Sequence, residues 1–211
     1  EAVRLVAEMR TEPTPGGVAA RAAGRANVAA LLDEPFRALV ADGVTFELAL
    51  RRPDDAVLFL DAVEVSTGGV HLSGDGLIDL HGGRIDRARL ALSADAAAFG
   101  TLAPLLAPAD LRGLEMEADI SGPWAAPSVI AAGTVTKLQM ADAAVDRIAW
   151  TTHIQPAEDP HGPIALNATA EVLGLQAGAT ELAPLLGDDP RLVFEATLER
   201  MTNRLTLELA R

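Results

Sequence analysis

The chain has 211 residues, of which 49% are hydrophobic, and this composition is ample for one or two folded domains. Its 17 basic against 30 acidic residues give a net charge of −13, which repels phosphate backbones and anionic bilayers and therefore excludes a nucleic-acid partner. The absence of cysteine excludes disulfides, thiolate metal sites and cysteine nucleophiles, and the 3% of aromatic residues, none of them tyrosine, argues against aromatic stacking platforms and membrane-barrel girdles.

Residues 1–30 carry mixed signals. Residues 1–9 fit a strand, and residues 13–17 form a break with two prolines and two glycines. Residues 18–28 are rich in alanine and arginine and fit either a helix or a strand. The segment 31–36 predicts a short turn of helix that leads into the first clear strand.

From residue 44 onward, apolar and polar residues alternate in segment after segment, as in 44–51 and 114–121. Successive strand residues point to opposite faces, so this alternation predicts a long sheet with one apolar and one polar side. The connections hold Gly, Pro and Asp residues typical of hairpin turns, and few helices of crossover length intervene, which favours an antiparallel sheet. The predicted strands cover residues 44–51, 56–65, 69–80, 84–94, 113–121, 128–140, 144–155, 163–173, 191–199 and 203–210.

Two apolar, helix-prone inserts interrupt the strands, at 95–111 and 175–186, and both contain the run Leu-Ala-Pro-Leu-Leu. Short apolar helices of this kind are suited to cap an open sheet. The segment 46–50 resembles the segment 194–198, which is typical of a modular array. Because the chain starts and ends within strand-like sequence, we expect it to be a segment of a longer protein, truncated at both ends.

Residue patterns that would indicate catalysis or metal binding are not recognisable. The four histidines show no ligand spacing, and the Asp-Asp pairs lie beside Pro or Gly, where aspartate is ordinary turn chemistry. No phosphate-binding loop or nucleophile elbow is found. We therefore expect a protein that is not an enzyme and that uses no cofactor and no metal.

The segment 111–123, followed by Pro127, Gly133 and Val135, resembles the repeating unit of the TamB family within the AsmA-like, bridge-like lipid transfer group. The shared features are a Leu-x-Gly opening, an alternating strand, a Ser-Gly-Pro turn, and a proline and a glycine in the next strand. The segment 72–80 and the Pro-Leu-Leu-Gly-Asp-Asp run at 184–189 add to the resemblance, which covers nearly the whole chain beyond about residue 30.

The resemblance implies an all-β fold with a long, curved, mainly antiparallel sheet, a β-taco, whose inner face is an open apolar groove, with one or two short helical inserts. Residues 1–30 would form a partial repeat or strand–turn segment, and residues 31–211 the β-taco segment. The implied function is to conduct phospholipids between the inner and outer membranes and to support outer-membrane protein assembly.

The resemblance also implies a location and partners. The segment would lie in the periplasm, with its parent protein anchored in the inner membrane of a Gram-negative bacterium. Its partners would be phospholipid acyl chains and, through parts of the parent outside this segment, an outer-membrane barrel of the TamA kind.

The candidate groove-lining residues are the apolar members of each alternation. They are Phe46, Leu48, Leu50, Phe59, Val63, Leu72, Leu90, Leu92, Leu114, Met116, Ile120, Ile148, Trp150, Leu166, Val172, Phe194, Leu198 and Leu207.

Three alternatives stay open at this point. The same residues would also suit the core of a closed sandwich or barrel. The protein could instead be a chaperone-like scaffold whose strand edges bind outer-membrane protein strands by β-augmentation. A carbohydrate-active parallel β-helix would need a regular short coil repeat and an acidic cluster on one face, and neither is clear.

Overall fold

A computed structural model describes residues 4–14, 17–140, 143–156, 164–177, 190–199 and 204–210. Within these residues, thirteen strands form one antiparallel sheet, which confirms the predicted all-β class. The strands are β1 (Arg4–Thr14), β2 (Gly17–Asn27), β3 (Val44–Arg52), β4 (Val57–Thr67), β5 (Val70–Asp79), β6 (Arg84–Ala94), β7 (Gly113–Pro123), β8 (Ser128–Met140), β9 (Ala143–Pro156), β10 (Ile164–Leu173), β11 (Gln176–Ala177), β12 (Arg191–Glu199) and β13 (Arg204–Ala210).

The strands lie side by side in chain order from β1 to β10, then β12 and β13, while the two-residue β11 pairs with β9. At about 4.8 Å per strand, this path is roughly 50 Å long. Strands β1 and β13 are the two edges of the described sheet and do not pair with each other, so the sheet is open. It is not the closed barrel that the sequence left as an alternative.

The register assigns each residue to a face, because directly opposed residues of antiparallel strands point to the same side. We call the side that carries Leu48, Leu90 and Ala118 the apolar face, and the side that carries Glu47 and Asp119 the polar face. One line of direct partners on the apolar face runs through Met9, Ala22, Leu48, Val63, Gly74, Leu90, Ala118, Ala131, Thr152 and Ala168.

Within residues 1–30, which the sequence separates from the rest, Arg4–Thr14 and Gly17–Asn27 form the first two strands of the same sheet. All of the ambiguous segment 18–28 except Val28 lies in β2, which pairs with β1 on one side and β3 on the other. Alanine and glycine have little preference for strands, so the strand conformation here is set by the hydrogen bonds of the two neighbours.

The helical inserts gather at one end of the strands. Helix α2 (Ala96–Leu106) follows β6 and is capped by Asp95, whose carboxylate accepts hydrogen bonds from the N–H groups of Ala97 and Ala98. It packs against the one-turn helix α1 (Phe36–Leu39), which in turn packs against a 3₁₀ turn, Ala29–Leu31. The predicted insert at 95–111 is therefore helical, whereas most of the insert at 175–186 lies outside the described residues.

A small closed core lies at this helical end. Ala29, Val40, Ala98 and Phe99 are buried, and the Thr67 hydroxyl at the end of β4 donates to the carbonyl oxygens of both Leu39 and Gly43. These hydrogen bonds tie the inserts to the β4–β5 hairpin. Elsewhere the described strands contact mainly their immediate neighbours, and no second layer of described elements covers the sheet.

The total surface area agrees with an uncovered sheet. The accessible surface is 13660 Å² for a mass of 21.9 kDa, whereas a compact monomer of that mass would expose about 9300 Å². A surface larger than that of a compact monomer is expected when a sheet has no second layer.

Candidate functional site: the open apolar face

The apolar face is continuous across the sheet, because three further lines of direct partners flank the line through Leu48. One runs through Gly24, Phe46, Val65, Leu72, Leu92, Met116, Gly133, Trp150 and Ala170. A second runs through Ala20, Leu50, Leu60, Gly76, Ala88, Ile120, Val129, Ile154 and Leu166. A third, near the helical end, runs through Val70, Ala94, Leu114, Val135, Ile148 and Val172.

These lines bring together most of the residues that the sequence singled out. The candidates that share the apolar face are Phe46, Leu48, Leu50, Val63, Leu72, Leu90, Leu92, Leu114, Met116, Ile120, Ile148, Trp150, Leu166 and Val172. Phe194 and Leu198 lie on β12 and Leu207 lies on β13, but their side chains are outside the described part of the chain.

Phe59 is the exception, and its placement corrects the sequence assignment. A β-bulge in β4 falls between Leu60 and Val63, and the extra residue reverses the alternation on its N-terminal side. Phe59 therefore pairs with Arg51 on the polar face, and the Arg51 guanidinium carbon lies 4.8 Å from the centre of its ring. Leu60 takes the place on the apolar face that sequence alternation gave to Phe59.

The apolar face is less exposed than the polar face, although no described layer covers it. Ala118 and Ala131, on the apolar face of β7 and β8, are each 6% exposed, whereas Ile130 on the polar face of β8 is 56% exposed. Curvature towards the apolar side explains the difference, because side chains inside a bend crowd together and those outside it spread apart. We therefore refer to the apolar face as the inner surface of the curved sheet.

Glycines on the inner surface make room for the largest side chains. A Cβ atom on Gly133 would lie 2.6 Å from Cζ2 of Trp150, its direct partner on β9. A Cβ on Gly74 would lie 2.6 Å from Cδ2 of Leu90, its partner on β6. Each bulky side chain therefore folds over a glycine and flattens the surface, a pattern visible only once the register is known.

The polar face is held by ion pairs between neighbouring strands. Arg51 makes a bidentate pair with Asp61, with nitrogen–oxygen distances of 2.5 and 2.7 Å, and Arg89 lies 3.3 Å from Asp119. The hydrogen bond from Arg51 lowers the pKa of Asp61 below its ordinary value, and burial opposes this shift only partly. The same hydrogen bond, followed by the charge of Asp61, raises the pKa of Arg51.

The residues considered for catalysis or metal binding have ordinary structural roles. His71 Nδ1 lies 2.7 Å from Ser66 Oγ on the next strand, and Asp54 accepts hydrogen bonds from the backbone of the turn before β4. Among the described residues, no group of three His, Asp or Glu side chains could hold a metal ion. Asp188, Asp189 and His161 lie outside the described residues.

The polar face also contains shallow hollows. One, of about 580 Å³, lies over β7 to β12 and is lined by small residues between Glu115 on one side and Glu171 and Arg191 on the other. No titratable side chain in it is buried, and Glu171 lies 4.0 Å from Arg191. Its features are those of a solvated outer surface.

The fold and the site together define a class: an open, curved, antiparallel β-sheet protein with a continuous apolar inner face and a charged outer face. Comparisons of the chain with protein-family models, with curated proteins and with solved structures gave no match. None of the helices within the described residues has the length and apolar character required to cross a bilayer.

Proposed function

We propose that the apolar face holds the acyl chains of phospholipids and guides them along the sheet. The observation that carries this proposal is the uncovered inner surface, on which directly paired apolar residues follow each other from β2 to β10. Removing an acyl chain from water is favourable by about 0.8 kcal/mol per CH₂ group. A surface of this kind binds hydrocarbon without selecting one position over the next, so a chain can slide along it.

The distribution of charge supports the same function. Most charged strand residues lie on the polar face, where they form ion pairs across strands, while the four lines of direct partners on the apolar face contain no charged residue between β3 and β10. Arg52, at the end of β3, is the exception on the apolar side. The outer surface keeps the sheet soluble while the inner surface remains apolar. Lipid head groups would stay in water at the open side, and transfer needs no reacting group.

The resemblance of the segment 111–123 and its neighbours to the TamB repeat extends the proposal to a cellular role. In that role the chain is a periplasmic part of an inner-membrane-anchored protein, and it carries phospholipids towards the outer membrane beside a TamA-like barrel. An all-β sheet with an open apolar face is what that role requires.

Photo-crosslinking tests the proposal directly. We expect a photoreactive amino acid at Met116 to capture phospholipid from vesicles, because Met116 lies in the centre of the apolar face. The same group at Glu117, one residue along β7 and on the polar face, is the matched control. Equal lipid capture at both positions, or capture at neither, would contradict the proposal that the apolar face conducts lipid.

A charge on the apolar face tests transport. We expect Met116→Arg and Leu48→Arg each to reduce lipid transfer between vesicles at least about tenfold, since a guanidinium in the path must be desolvated or displaced. Glu117→Arg and Glu47→Arg place the same group on the polar face and are expected to leave transfer unchanged. Circular dichroism of all four variants verifies that the sheet is retained.

A chaperone-like scaffold is the second candidate, and the exposed edge strand favours it. On β1, Leu5 is 64% exposed and Val6 is 58% exposed, and the strand has no described neighbour beyond it. A crosslinker at Val6 that captures unfolded outer-membrane proteins, together with one at Met116 that captures no lipid, would favour this function over the conduit.

A further inference from the structure

Two strands in the middle of the sheet, β4 and β6, each contain one residue more than the strands on either side of them. The pairing of β4 shifts around Asp61 against both β3 and β5. The pairing of β6 shifts around Asp86 against both β5 and β7. Each extra residue forms a β-bulge, which bends its strand and increases the local twist. Since β5 lies between the two bulged strands, both bends act on the same part of the sheet.

The bulges determine which side chains reach the apolar face beyond them. Val63 lies on the apolar face, and unbroken alternation along β4 would place Asp61 there too, but the extra residue places Leu60 there instead. In β6 the bulge replaces Asp86 by Ile85 in the same way. Each bulge therefore keeps an aspartate off the apolar face and continues that face with an apolar side chain.

Beyond the bulges, the apolar face continues to the ends of the strands. Leu58, Ile78 and Ile85 are direct partners across β4, β5 and β6, and we call them the rim line. All three residues are half-buried. The rim line reaches β7 at Gly122, the partner of Ile85, where a φ of +105° takes the backbone out of regular strand geometry.

The direction of the bend follows from the packing of β5 at the level of the bulges. Gly76, on the apolar face between Leu60 and Ala88, is buried. A Cβ atom on Gly76 would lie 3.2 Å from the carbonyl oxygen of Arg87 and 3.3 Å from Cβ of Ala88, closer than most van der Waals contacts. The neighbouring strand therefore crowds Gly76 on the apolar side, as expected inside a bend that bulges and glycines produce together.

We propose that the sheet folds towards its apolar side along a crease through the two bulges and Gly76, and that the rim line beyond the crease forms a side wall against which acyl chains lie. The part of the apolar face between Gly76 and Val70, at the helical end of β5, is about 20 Å wide at roughly 3.4 Å per residue. This width accommodates the two chains of one phospholipid side by side. The wall removes one side of them from water, and this role rests on the lipid function proposed above.

The ion pairs of the two bulges do not produce the bend. Asp61 is paired with Arg51 on the neighbouring strand, and Oδ1 of Asp86 lies 3.2 Å from Nε of Arg84 in its own strand. The side chains of all four residues are a third or more exposed, and exposed pairs contribute little to stability. The bend therefore comes from the extra residue itself, and the two aspartates can be replaced without removing it.

Photo-crosslinking in the otherwise unaltered chain tests the wall. We expect a photoreactive amino acid at Ile78 to capture lipid from phosphatidylcholine vesicles. The matched control is Leu77, the next residue of β5, which is also apolar but lies on the polar face opposite Phe59. Capture at Met116 without capture at Ile78, or equal capture at Ile78 and Leu77, would overturn the wall and leave the lipid function standing. Capture at none of these positions would overturn both.

Removing the extra residues tests the crease. Deletion of both Asp61 and Asp86 restores regular pairing, and every remaining residue keeps its face, because each bulge opposes two residues to one. The matched control combines Asp61→Ala and Asp86→Ala, which removes the same charges but keeps both bulges. We expect lipid capture at Ile78 to fall to the level of Leu77 in the deletion variant and to persist in the alanine variant. A fall in both variants, or in neither, would overturn the proposal.

A distance measurement detects the bend without lipid. Because the chain has no cysteine, His81→Cys in the β5–β6 turn and Ala103→Cys in α2 introduce one spin-label site at each end of the strands. We expect the distance between the labels to be longer in the deletion variant than in the alanine variant, since the crease flattens. An unchanged distance in a deletion variant that retains its sheet by circular dichroism would overturn the crease, whatever the apolar face binds.

Discussion

Single residues on the inner surface are matched in size to the residue directly across from them. Gly133 lies between Met116 on β7 and Trp150 on β9, and the indole occupies the space above it. A larger residue at 133 would displace the indole and also approach the carbonyl oxygen of Glu115, 2.8 Å from a Cβ at that position. The flatness of the apolar face therefore depends on a residue with no side chain.

We expect Gly133→Ala to lower the free energy of unfolding by about 1–3 kcal/mol, because overpacking forces the neighbours to move. Urea unfolding followed by tryptophan fluorescence measures both the decrease in the free energy of unfolding and the displacement of Trp150. Gly100→Ala is the matched control: Gly100 lies inside α2 with open space around it, and alanine there is expected to stabilise by up to about 1 kcal/mol. If Gly133→Ala left the free energy of unfolding unchanged, the indole of Trp150 would not be held over the glycine.

The Asp61–Arg51 pair predicts a dependence of stability on pH. The native pKa of Asp61 lies below its ordinary value, which is about 3.9 in unfolded chains. The pair therefore stabilises the fold above about pH 4, and this stabilisation is lost as the pH falls through the lower native pKa.

The expected result is that the difference in unfolding free energy between the original chain and Asp61→Asn shrinks as the pH falls below 4. An NMR titration of the Asp61 carboxyl group gives the native pKa separately. A titration midpoint at the ordinary aspartate value would show that the hydrogen bonds from Arg51 do not persist in solution.

Among the elements, α2 depends on a single cap. Its first turn contains no acidic residue, and Asp95 alone accepts hydrogen bonds from the free N–H groups of Ala97 and Ala98. We expect Asp95→Ala to destabilise the helical end by about 1 kcal/mol and Asp95→Asn, which keeps an acceptor, to have a much smaller effect.

Hydrogen exchange is the appropriate measurement for this substitution. The amides of α2 should lose protection in Asp95→Ala, while those of the distant strands should not change. Faster exchange throughout the sheet would contradict the view that the inserts form a separate small core.

The elements also show how far the sequence predicts the structure. The sequence located strands such as β8 (Ser128–Met140) and β12 (Arg191–Glu199) at their observed bounds, because apolar, strand-forming residues there follow proline-containing turns. It misplaced Phe59, since Leu58 to Leu60 is apolar throughout and the bulge that decides the face is fixed by pairing with β3 and β5. The role of the inner face in lipid binding stays a prediction.

At the scale of the whole molecule, the open sheet predicts an unusually small heat-capacity change on unfolding. A compact domain of 211 residues would show a heat-capacity change on unfolding of about 2.5–3.2 kcal/mol/K. The excess surface of the native state is about a fifth of what a compact chain of this mass would bury. We therefore expect calorimetry to give a heat-capacity change on unfolding that is about a fifth lower than that of a compact domain. A value in the full range would mean that the apolar face is covered in solution.

Apart from the β4–β5 hairpin, which the helical inserts also hold, the described strands are stabilised mainly by the strands beside them, and this has a consequence for how the molecule unfolds. A domain with a central core tends to unfold in one cooperative step, whereas a sheet held together by contacts between neighbouring strands can unfold strand by strand. Opening should begin at the two rims and move inward hairpin by hairpin, so that the middle strands are the last to separate. Such a ribbon can also be lengthened or shortened by whole hairpins without rebuilding what remains.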